Sequence, residues 1–150
     1  MVWSCAVRLC ERRDLEKVTE IERSCFDEPY DFSTFSYLLG ADPEGFLVAE
    51  CEGRVVGYAI GQLRSGRGLV ISLAVDPRYR GGGVGESLLK ELLEHFQRKH
   101  VKSVELQVDI HNSYAIKLYE KMGFQVKKTI REYYSSGKDA YLMSRILDRS

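Results

Sequence analysis

The glycine-rich segment Arg80-Gly81-Gly82-Gly83-Val84-Gly85 separates two stretches whose apolar residues recur at different periods. Before it, apolar residues alternate with other residues up to Pro77, which is typical of a buried strand. After it, apolar residues recur at helical spacing, at Leu88, Leu89, Leu92, Leu93 and Phe96. Glycine lets the backbone turn N–H groups toward one point, and a helix starting there adds unpaired amides. The pattern predicts a strand, an anion-binding loop and a helix, suited to a phosphate or pyrophosphate.

Two common phosphate-binding motifs do not describe this segment. The P-loop requires Gly-Lys followed by Ser or Thr, and the chain has no such sequence here. The dinucleotide fingerprint is matched only loosely, without a clear acidic residue at the end of a second strand about twenty positions later. The pattern that fits is R-x-x-G-x-G, formed by Arg80, Gly83 and Gly85. The plain structural alternative is a glycine-rich turn before a core helix.

Composition narrows the class of protein. A length of 150 residues predicts one domain, residues 1–150. The formal net charge is +0, from 22 basic and 22 acidic side chains, which argues against a domain built mainly to bind nucleic acid. No apolar run approaches the roughly twenty residues that span a bilayer, and the N-terminal residues show no signal-peptide pattern. We therefore expect a cytoplasmic protein without a membrane partner.

The cysteines and histidines do not predict a metal site. Cys5, Cys10, Cys25 and Cys51 form no CxxC pair, and the histidines lie far from them in the chain. We interpret Cys25 and Cys51 as small apolar core residues. A disulfide that involves Cys5 or Cys10 is compatible with the sequence but cannot be deduced from it.

Periodicity and turn signals divide the rest of the chain into further elements. Asp14 is expected to cap a first helix that runs to about Cys25. A second short helix follows, and then three strands with short links that predict an antiparallel meander. The strand with Val104, Leu106 and Val108 follows the long helix, so it should pair in parallel with the strand before that helix. The order β-α-α-β-β-β-α-β-α-β-β predicts an α/β (α+β) fold. It has one mixed, mostly antiparallel sheet of roughly six or seven strands, flanked by about four helices.

A second segment carries a more specific signal. It runs Asn112-Ser113-Tyr114-Ala115-Ile116-Lys117-Leu118-Tyr119-Glu120-Lys121-Met122-Gly123-Phe124 and matches N-x-x-A-x-x-L-Y-x-x-x-G-F. Asn112 or Ser113 can cap its helix, which Gly123 ends. With the glycine-rich segment and the order of elements, it resembles the GNAT superfamily of acetyl-CoA-dependent N-acetyltransferases over essentially the whole chain. Near the C-terminus, Tyr133-Tyr134 and Gly137-Lys138-Asp139-Ala140-Tyr141-Leu142-Met143 resemble the protein N-terminal α-amino acetyltransferases, of the ribosomal-protein-alanine and Ard1 types.

The resemblance implies where acetyl-CoA would bind. It assigns the pantetheine to main-chain groups of Leu73, Ala74 and Val75, and the pyrophosphate to Arg80, Gly81, Gly82, Gly83, Val84 and Gly85, with Glu86 at the end of the loop. Asn112 would contact the cofactor, and its alternative role is a plain helix cap. Tyr119 would protonate the departing CoA thiolate, and its alternative role is a core aromatic. No metal is implied.

The position of the general base is where the chain departs from the pattern. The ribosomal-protein enzymes carry a glutamate in L-E-V, whereas this chain has Leu106-Gln107-Val108. Glu105 should point to the same sheet face as Gln107. Glu28, in the loop after the first helix, matches a substrate-loop glutamate of Ard1-type enzymes. We hypothesise that Glu28, with Glu105 or a water on Gln107, takes the proton of the amine. A solvated loop charge is the alternative for Glu28.

The residues expected to bind the acetyl acceptor are assigned from the same resemblance. Ile21-Glu22-Arg23 with Phe26 and Pro29-Tyr30 is consistent with the first helix and substrate loop of that group. Tyr30, Tyr133 and Tyr134 would line a groove for a peptide, with surface aromatic packing as the alternative. The implied reaction is direct attack by the N-terminal amine of a ribosomal or nascent protein in a ternary complex. Ribosome association and a monomeric or homodimeric state stay open. The alternatives are acetylation of a small amine or a lysine, and a non-catalytic acyl-CoA-binding sensor.

Overall fold

The computed structural model describes residues 4–147. Within these residues, seven strands form one mixed sheet in the order β1-β2-β3-β4-β5-β7-β6. They are β1 Cys5–Leu9, β2 Phe46–Cys51, β3 Arg54–Arg64, β4 Arg67–Val75, β5 Ser103–Asp109, β6 Gln125–Ile130 and β7 Ala140–Ile146. The α-helices are α1 Leu15–Cys25, α2 Phe32–Ala41, α3 Val84–Arg98 and α4 Ser113–Lys121. The predicted fold class and order of elements are confirmed, including the parallel pairing of β4 with β5.

The chain divides into two compact units. The first comprises the residues up to Gln62 together with Ile71–His95, and the second comprises Leu63–Val70 together with the chain from Phe96 onward. In the first unit, the apolar faces of α1 and α2 pack with side chains of β2 and β3. Members of this buried cluster include Leu15, Val18, Phe35, Leu39, Phe46, Val48 and Ile60. The cluster follows from helical spacing on α1 and α2 and from burial along the two strands.

Gly57 of β3 allows a close approach to α3 within the first unit. A Cβ atom at Gly57 would lie 3.0 Å from Leu88 Cδ1 and 3.0 Å from the carbonyl oxygen of Ala74. Leu88 is fully buried. Any side chain at position 57 would therefore displace Leu88 or the end of β4, so the glycine allows α3 to pack close to β3 at this point.

The second unit contains the pairing of β4 with β5 and the two pairings of β7. Arg67–Leu69 of β4 lie opposite Ser103–Glu105 of β5 in parallel register. β7 lies between β5 and β6 and is antiparallel to both. α4 ends before Gly123, whose φ of +91° is the left-handed conformation common after a helix. As predicted, a glycine therefore ends the α4 helix.

The predicted role of Asp14 is wrong. Asp14 precedes α1, but its side chain makes no capping hydrogen bond to that helix. Its carboxylate instead accepts bonds from Arg8 Nη1 and Nη2, at 2.8 and 3.0 Å, and from the Glu11 amide at 2.8 Å. The reason is that a 3-10 turn, Arg12–Asp14, comes directly before α1 and places the carboxylate back toward β1.

The interpretation of Cys51 also needs correction. Cys51 is buried, but it forms a disulfide with Cys5 and is not a free apolar side chain. The two residues lie directly opposite each other in the β1–β2 register. Cys10 is a free, buried cysteine, and burial raises the pKa of its thiol to about 12. Cys10 therefore stays protonated near neutral pH.

The Arg8–Asp14 ion pair leads to a prediction about the free energy of unfolding. Burial opposes ionisation of Asp14, but the hydrogen bonds from Arg8 and the Glu11 amide outweigh it and hold the pKa of Asp14 below its ordinary value. Asp14→Asn should lower the free energy of unfolding at pH 7 by about 2 kcal/mol, the value of a hydrogen bond to a charged group. Because the folded-state pKa is the lower one, this stabilisation is present above the unfolded pKa of about 3.9 and is lost as pH falls through the folded value.

Urea denaturation at a series of pH values measures the effect. Glu16→Gln, at an exposed position on α1, is the matched control and should change the free energy of unfolding by no more than about 0.5 kcal/mol. A loss for Asp14→Asn that is equally large at pH 7 and well below the folded-state pKa would contradict a role for the ionised carboxylate.

Candidate active site

The glycine-rich segment connects β4 with α3 through a short 3-10 turn, Pro77–Tyr79. Gly81 and Gly83 have φ values of +88° and +86°, a region in which other residues are strained. A Cβ atom at either position would meet no atom within 4 Å, so the backbone conformation, not crowding, favours glycine there. At the start of α3, the Ser87 amide donates to the Gly83 carbonyl at 3.0 Å. The amides that precede Ser87 in the first turn have no intrahelical acceptor, as at any helix start.

The side chain of Arg80 turns back toward the end of β4. Its Nε donates to the Val75 carbonyl at 3.1 Å, and its Nη2 lies 3.4 Å from Cys25 Sγ. Cys25 Sγ also lies 3.7 Å from the Val75 carbonyl oxygen. Cys25 is partly buried and links the last turn of α1 to the glycine-rich segment, a contact that its interpretation as a core residue did not anticipate.

A buried carboxylate, Glu22, lies on α1 one turn before Cys25 and is 3% exposed. Its Oε1 accepts hydrogen bonds from the Tyr58 hydroxyl and, at 3.1 Å, from the Ser72 hydroxyl. Its Oε2 accepts a hydrogen bond from the Tyr30 amide at 3.1 Å. Burial raises the pKa of Glu22, against the effect of these hydrogen bonds. Burial, with the Glu22 carboxylate, also raises the pKa of Tyr58 well above its ordinary value.

The loop between α1 and α2 carries two predicted site residues, Glu28 and Tyr30, and both are exposed. The Tyr30 ring packs edge-on against Phe35, with ring centroids 6.0 Å apart. The next residue, Asp31, caps α2 by accepting a hydrogen bond from the Thr34 amide at 3.0 Å. The end of this loop is therefore held by a ring contact, a helix cap and the Glu22 carboxylate.

In the second unit, α4 carries Tyr119, which is 5% exposed. Its ring packs against Phe124 with centroids 5.7 Å apart. Burial raises the pKa of the Tyr119 phenol, with smaller contributions from Tyr114 and Tyr134, so the hydroxyl keeps its proton at neutral pH. Asn112 is the residue that caps α4, because its Oδ1 accepts a hydrogen bond from the Ala115 amide at 3.2 Å.

The candidate bases on β5 differ in their surroundings. Both oxygens of Glu105 lie 3.1 Å from Arg67 Nη1, in the parallel β4–β5 pair. Gln107 is exposed and lies opposite Leu142 of β7. Glu105 is therefore engaged in an ion pair, whereas the Gln107 side chain faces solvent.

Tyr133 and Tyr134 lie in the connection between β6 and β7. Their rings pack edge to face with centroids 4.9 Å apart, and Tyr133 is 47% exposed. The Tyr134 amide donates to the Lys138 carbonyl at 3.1 Å, and the Gly137 amide donates to the Tyr134 carbonyl at 2.8 Å. These two bonds close a turn directly after the tyrosine pair.

The sequence model of the Acetyltransferase (GNAT) family matches residues 15–124, which include the glycine-rich segment and α4. The chain belongs to the GNAT acetyltransferase family. The resemblance drawn from the two motifs is thereby confirmed, and the protein is an N-acetyltransferase. Enzymes of this family use acetyl-CoA as their acetyl donor.

Named relatives cover almost the whole acetyltransferase chain. An uncharacterised N-acetyltransferase of Methanocaldococcus jannaschii is 40% identical over 91% of this chain and 88% of its own. An N-alpha-acetyltransferase of Sulfurisphaera tokodaii is 34% identical over 92% of this chain and 90% of its own.

Two solved structures share the fold of this acetyltransferase. Ard1 from Thermoplasma volcanium has a TM-score of 0.93 and 32% identity, covering 97% of this chain and 99% of its own. Arabidopsis thaliana Naa50, in complex with the bisubstrate analogue CoA-Ac-MVNAL, has a TM-score of 0.84 and 27% identity, covering 95% of this chain and 98% of its own.

Neither a metal-binding cluster nor a membrane-spanning helix occurs in residues 4–147 of the acetyltransferase. Within that range, no group of three or more His, Cys, Asp or Glu side chains is arranged to hold a metal ion. No helix in the same described range is both long enough and apolar enough to cross a membrane.

Sequence reasoning assigned no role to Glu22 of the acetyltransferase, although a signal was present. Glu22 follows Leu15 by seven residues, about two helical turns, and Val18 by four. It therefore occupies a core-facing position of α1 that an apolar residue would normally fill. A charged residue at such a position indicates hydrogen-bond partners in the interior. The partners themselves, Tyr58 and Ser72, lie 36 and 50 residues away in the chain.

Proposed function

We propose that this acetyltransferase moves the acetyl group of acetyl-CoA to the α-amino group at the N-terminus of a protein. The observation that carries the proposal is the glycine-rich segment between β4 and α3, where Gly81 and Gly83 have positive φ values and no atom lies within 4 Å of their Cβ positions. The acceptor class is supported by similarity to an N-alpha-acetyltransferase over 92% of the chain. It is also supported by the Naa50 structure, whose bisubstrate analogue combines CoA, an acetyl group and a peptide sequence.

In this proposal, acetyl-CoA is bound mainly by main-chain groups. The ladder between β4 and β5 ends at Leu69, and β4 continues to Val75. We assign the pantetheine to the main chain of Leu73–Val75 and the pyrophosphate to Arg80–Gly85, with Glu86 in the first helical turn. Asn112 would contribute its side-chain NH2 group, since its oxygen caps α4. Because glycine amides approach an anion without a Cβ in the way, the segment suits a diphosphate.

When bound, acetyl-CoA supplies an activated thioester, and the chain must stabilise charge and move protons around it. A main-chain N–H of β4 is proposed to donate to the thioester carbonyl as negative charge develops there. Tyr119 is proposed to give its proton to the departing thiolate. Because its pKa is raised, the phenol stays protonated through the neutral range and holds the proton that this role requires.

The acceptor peptide is proposed to bind at the α1–α2 loop and at the connection between β6 and β7. Tyr30, Tyr133 and Tyr134 are proposed to contact the peptide. An α-amino group has a pKa near 8, so removing its proton at neutral pH costs little and needs only a weak base or a water. Of the two candidate carboxylates, Glu28 shares a loop with Tyr30, whereas Glu105 is held by Arg67. Because it shares the α1–α2 loop with Tyr30, Glu28 is proposed as the base, with Gln107 as a residue that could orient water.

A peptide panel tests the proposed function. The enzyme would be incubated with acetyl-CoA and peptides that differ in their first residue, including Met, Ala and Ser, and the acetyl group would be located by mass spectrometry. We expect label on the N-terminal amine of a subset of the panel. The control peptides have a blocked N-terminus and an internal lysine, and they should stay unlabelled.

Each alternative has its own outcome in this assay. Label on internal lysine with the N-terminus free would contradict the N-terminal assignment. Faster turnover of a polyamine than of any peptide would favour a small-amine enzyme. Binding of acetyl-CoA without transfer to any acceptor would favour the acyl-CoA-binding sensor.

The donor site is tested by Gly83→Ala. An alanine there must adopt a φ near +86°, which costs roughly 1–2 kcal/mol, or the loop must change shape. We expect the Kd for CoA, measured by calorimetry, to rise about tenfold.

Gly53→Ala is the matched control, since Gly53 in the β2–β3 turn has a φ of +81° and equally open space around its Cβ position. Both variants should lose similar stability, but Gly53→Ala should bind CoA like the wild type. Equal Kd values for the two variants would remove the glycine-rich segment from the proposed site.

The proton donor is tested by Tyr119→Phe. The change keeps the ring that packs on Phe124 and removes only the hydroxyl. We expect kcat to fall about 100-fold, the lower range for a general acid, while the Kd for acetyl-CoA stays within about twofold. Tyr37→Phe, at a position 71% exposed on α2, is the control and should behave like the wild type. An unchanged kcat for Tyr119→Phe would leave Tyr119 with a packing role alone.

A further inference from the structure

Glu22 is a carboxylate that the proposed chemistry does not use, although it lies in the interior of the first unit. It is 3% exposed and belongs to α1. Its hydrogen-bond donors come from three other segments: Tyr58 on β3, Ser72 on β4, and the amide of Tyr30 on the α1–α2 loop. All three donors are uncharged. One side chain therefore joins a helix, two strands and the loop that carries Glu28.

Fold stability alone does not account for a carboxylate at this position. Burying a charge is costly, and a well-packed apolar side chain of similar volume is often as stable or more stable. The neighbouring core-facing positions of α1, Leu15 and Val18, are apolar and fully buried. What a carboxylate adds, and a leucine cannot, is an acceptor for the Tyr30 amide and for the two hydroxyls.

The hydrogen bonds of Glu22 act at the places where the proposed substrates would lie. Ser72 directly precedes Leu73–Val75, the residues assigned to the pantetheine. Tyr30 lies two residues after Glu28 and is 41% exposed, so its ring is accessible while its amide is held from inside. Phe35 packs against both Tyr30 and Tyr58, with centroids 6.0 and 5.7 Å away. The loop is thus held at Tyr30 both by a ring contact and by a main-chain hydrogen bond.

We propose that Glu22 is a positioning residue for the acceptor peptide, acting by fixing the Tyr30 amide and with it the loop from Phe26 to Asp31. This inference rests on the proposed N-terminal acetyltransferase function, because it concerns the peptide side of that reaction. Glu22 itself touches neither substrate in this scheme. It sets the distance of Glu28 and Tyr30 from β4 through Ser72 and Tyr58.

The test compares Glu22→Leu, which fills the volume but accepts no hydrogen bond, with the isosteric Glu22→Gln. For Glu22→Leu we expect the KM for a peptide substrate to rise about tenfold, the value of one hydrogen bond to a charged group. The KM for acetyl-CoA should stay within about twofold. Hydrogen exchange of the Tyr30 amide, followed by NMR, should quicken about tenfold. Glu22→Gln keeps one acceptor oxygen and should fall between the wild type and Glu22→Leu in both measurements.

The matched control is Glu20→Leu on the same helix. Glu20 has a side chain 61% exposed and makes an ion pair with Lys17 at 3.5 Å. It should leave both KM values and the Tyr30 exchange rate unchanged.

Three results would overturn the proposal. The first is a peptide KM for Glu22→Leu equal to that of the control, and the second is an unchanged Tyr30 exchange rate. The third is an equal rise in both KM values together with a lower Tm, which would show a structural role alone. If Glu22→Leu does not fold, the same criteria apply to Glu22→Gln. Failure of the proposed function is distinguishable, since the wild type would then acetylate no peptide while the exchange rates still report whether Glu22 holds the loop.

Discussion

The hydrogen-bond ladder between β4 and β5 covers Arg67–Leu69, and β4 then continues to Val75. This continuation is the feature on which the rest of the structure depends. It leads through one 3-10 turn into the glycine-rich segment, and α3 begins at Val84, nine positions after β4 ends at Val75. Gly57 permits the close packing of Leu88 against this part of the sheet. The positive φ values of Gly81 and Gly83 then complete a loop whose main chain can serve as donor.

The first unit also contains a polar centre in its interior. The carboxylate of Glu22 is desolvated, which is unfavourable, and it is compensated by three neutral donors. Such a network is stable only when every member is satisfied, because a buried group without its partner costs the full desolvation energy. The network therefore specifies one arrangement of α1, β3, β4 and the loop after α1. A purely apolar interface would tolerate small shifts among those elements.

Much of the fold could be predicted from the sequence, because its elements have clear local signals. The predicted order of the elements matches the structure throughout, and α4, Ser113–Lys121, lies between its predicted cap and its predicted glycine end. Asn112 and Gly123 bound α4 as their residue types indicate. For the candidate site, the sequence located the loops and the helix that carry the assigned residues. Their roles stay predictions, because a role depends on bound substrates as well as on position.

What the sequence by itself determined is the order of the elements, the glycine-rich segment and the family, since periodicity, capping residues and glycine spacing act over a few neighbouring positions. The tertiary structure alone decided that Asp14 turns to Arg8, that Cys51 pairs with Cys5, and that Glu22 meets Tyr58 and Ser72. Most of these contacts join residues that are far apart in the chain. Cys5 and Cys51 are separated by 46 positions, and Glu22 and Ser72 by 50. Strand register and helix packing bring such residues together, and no local pattern encodes them.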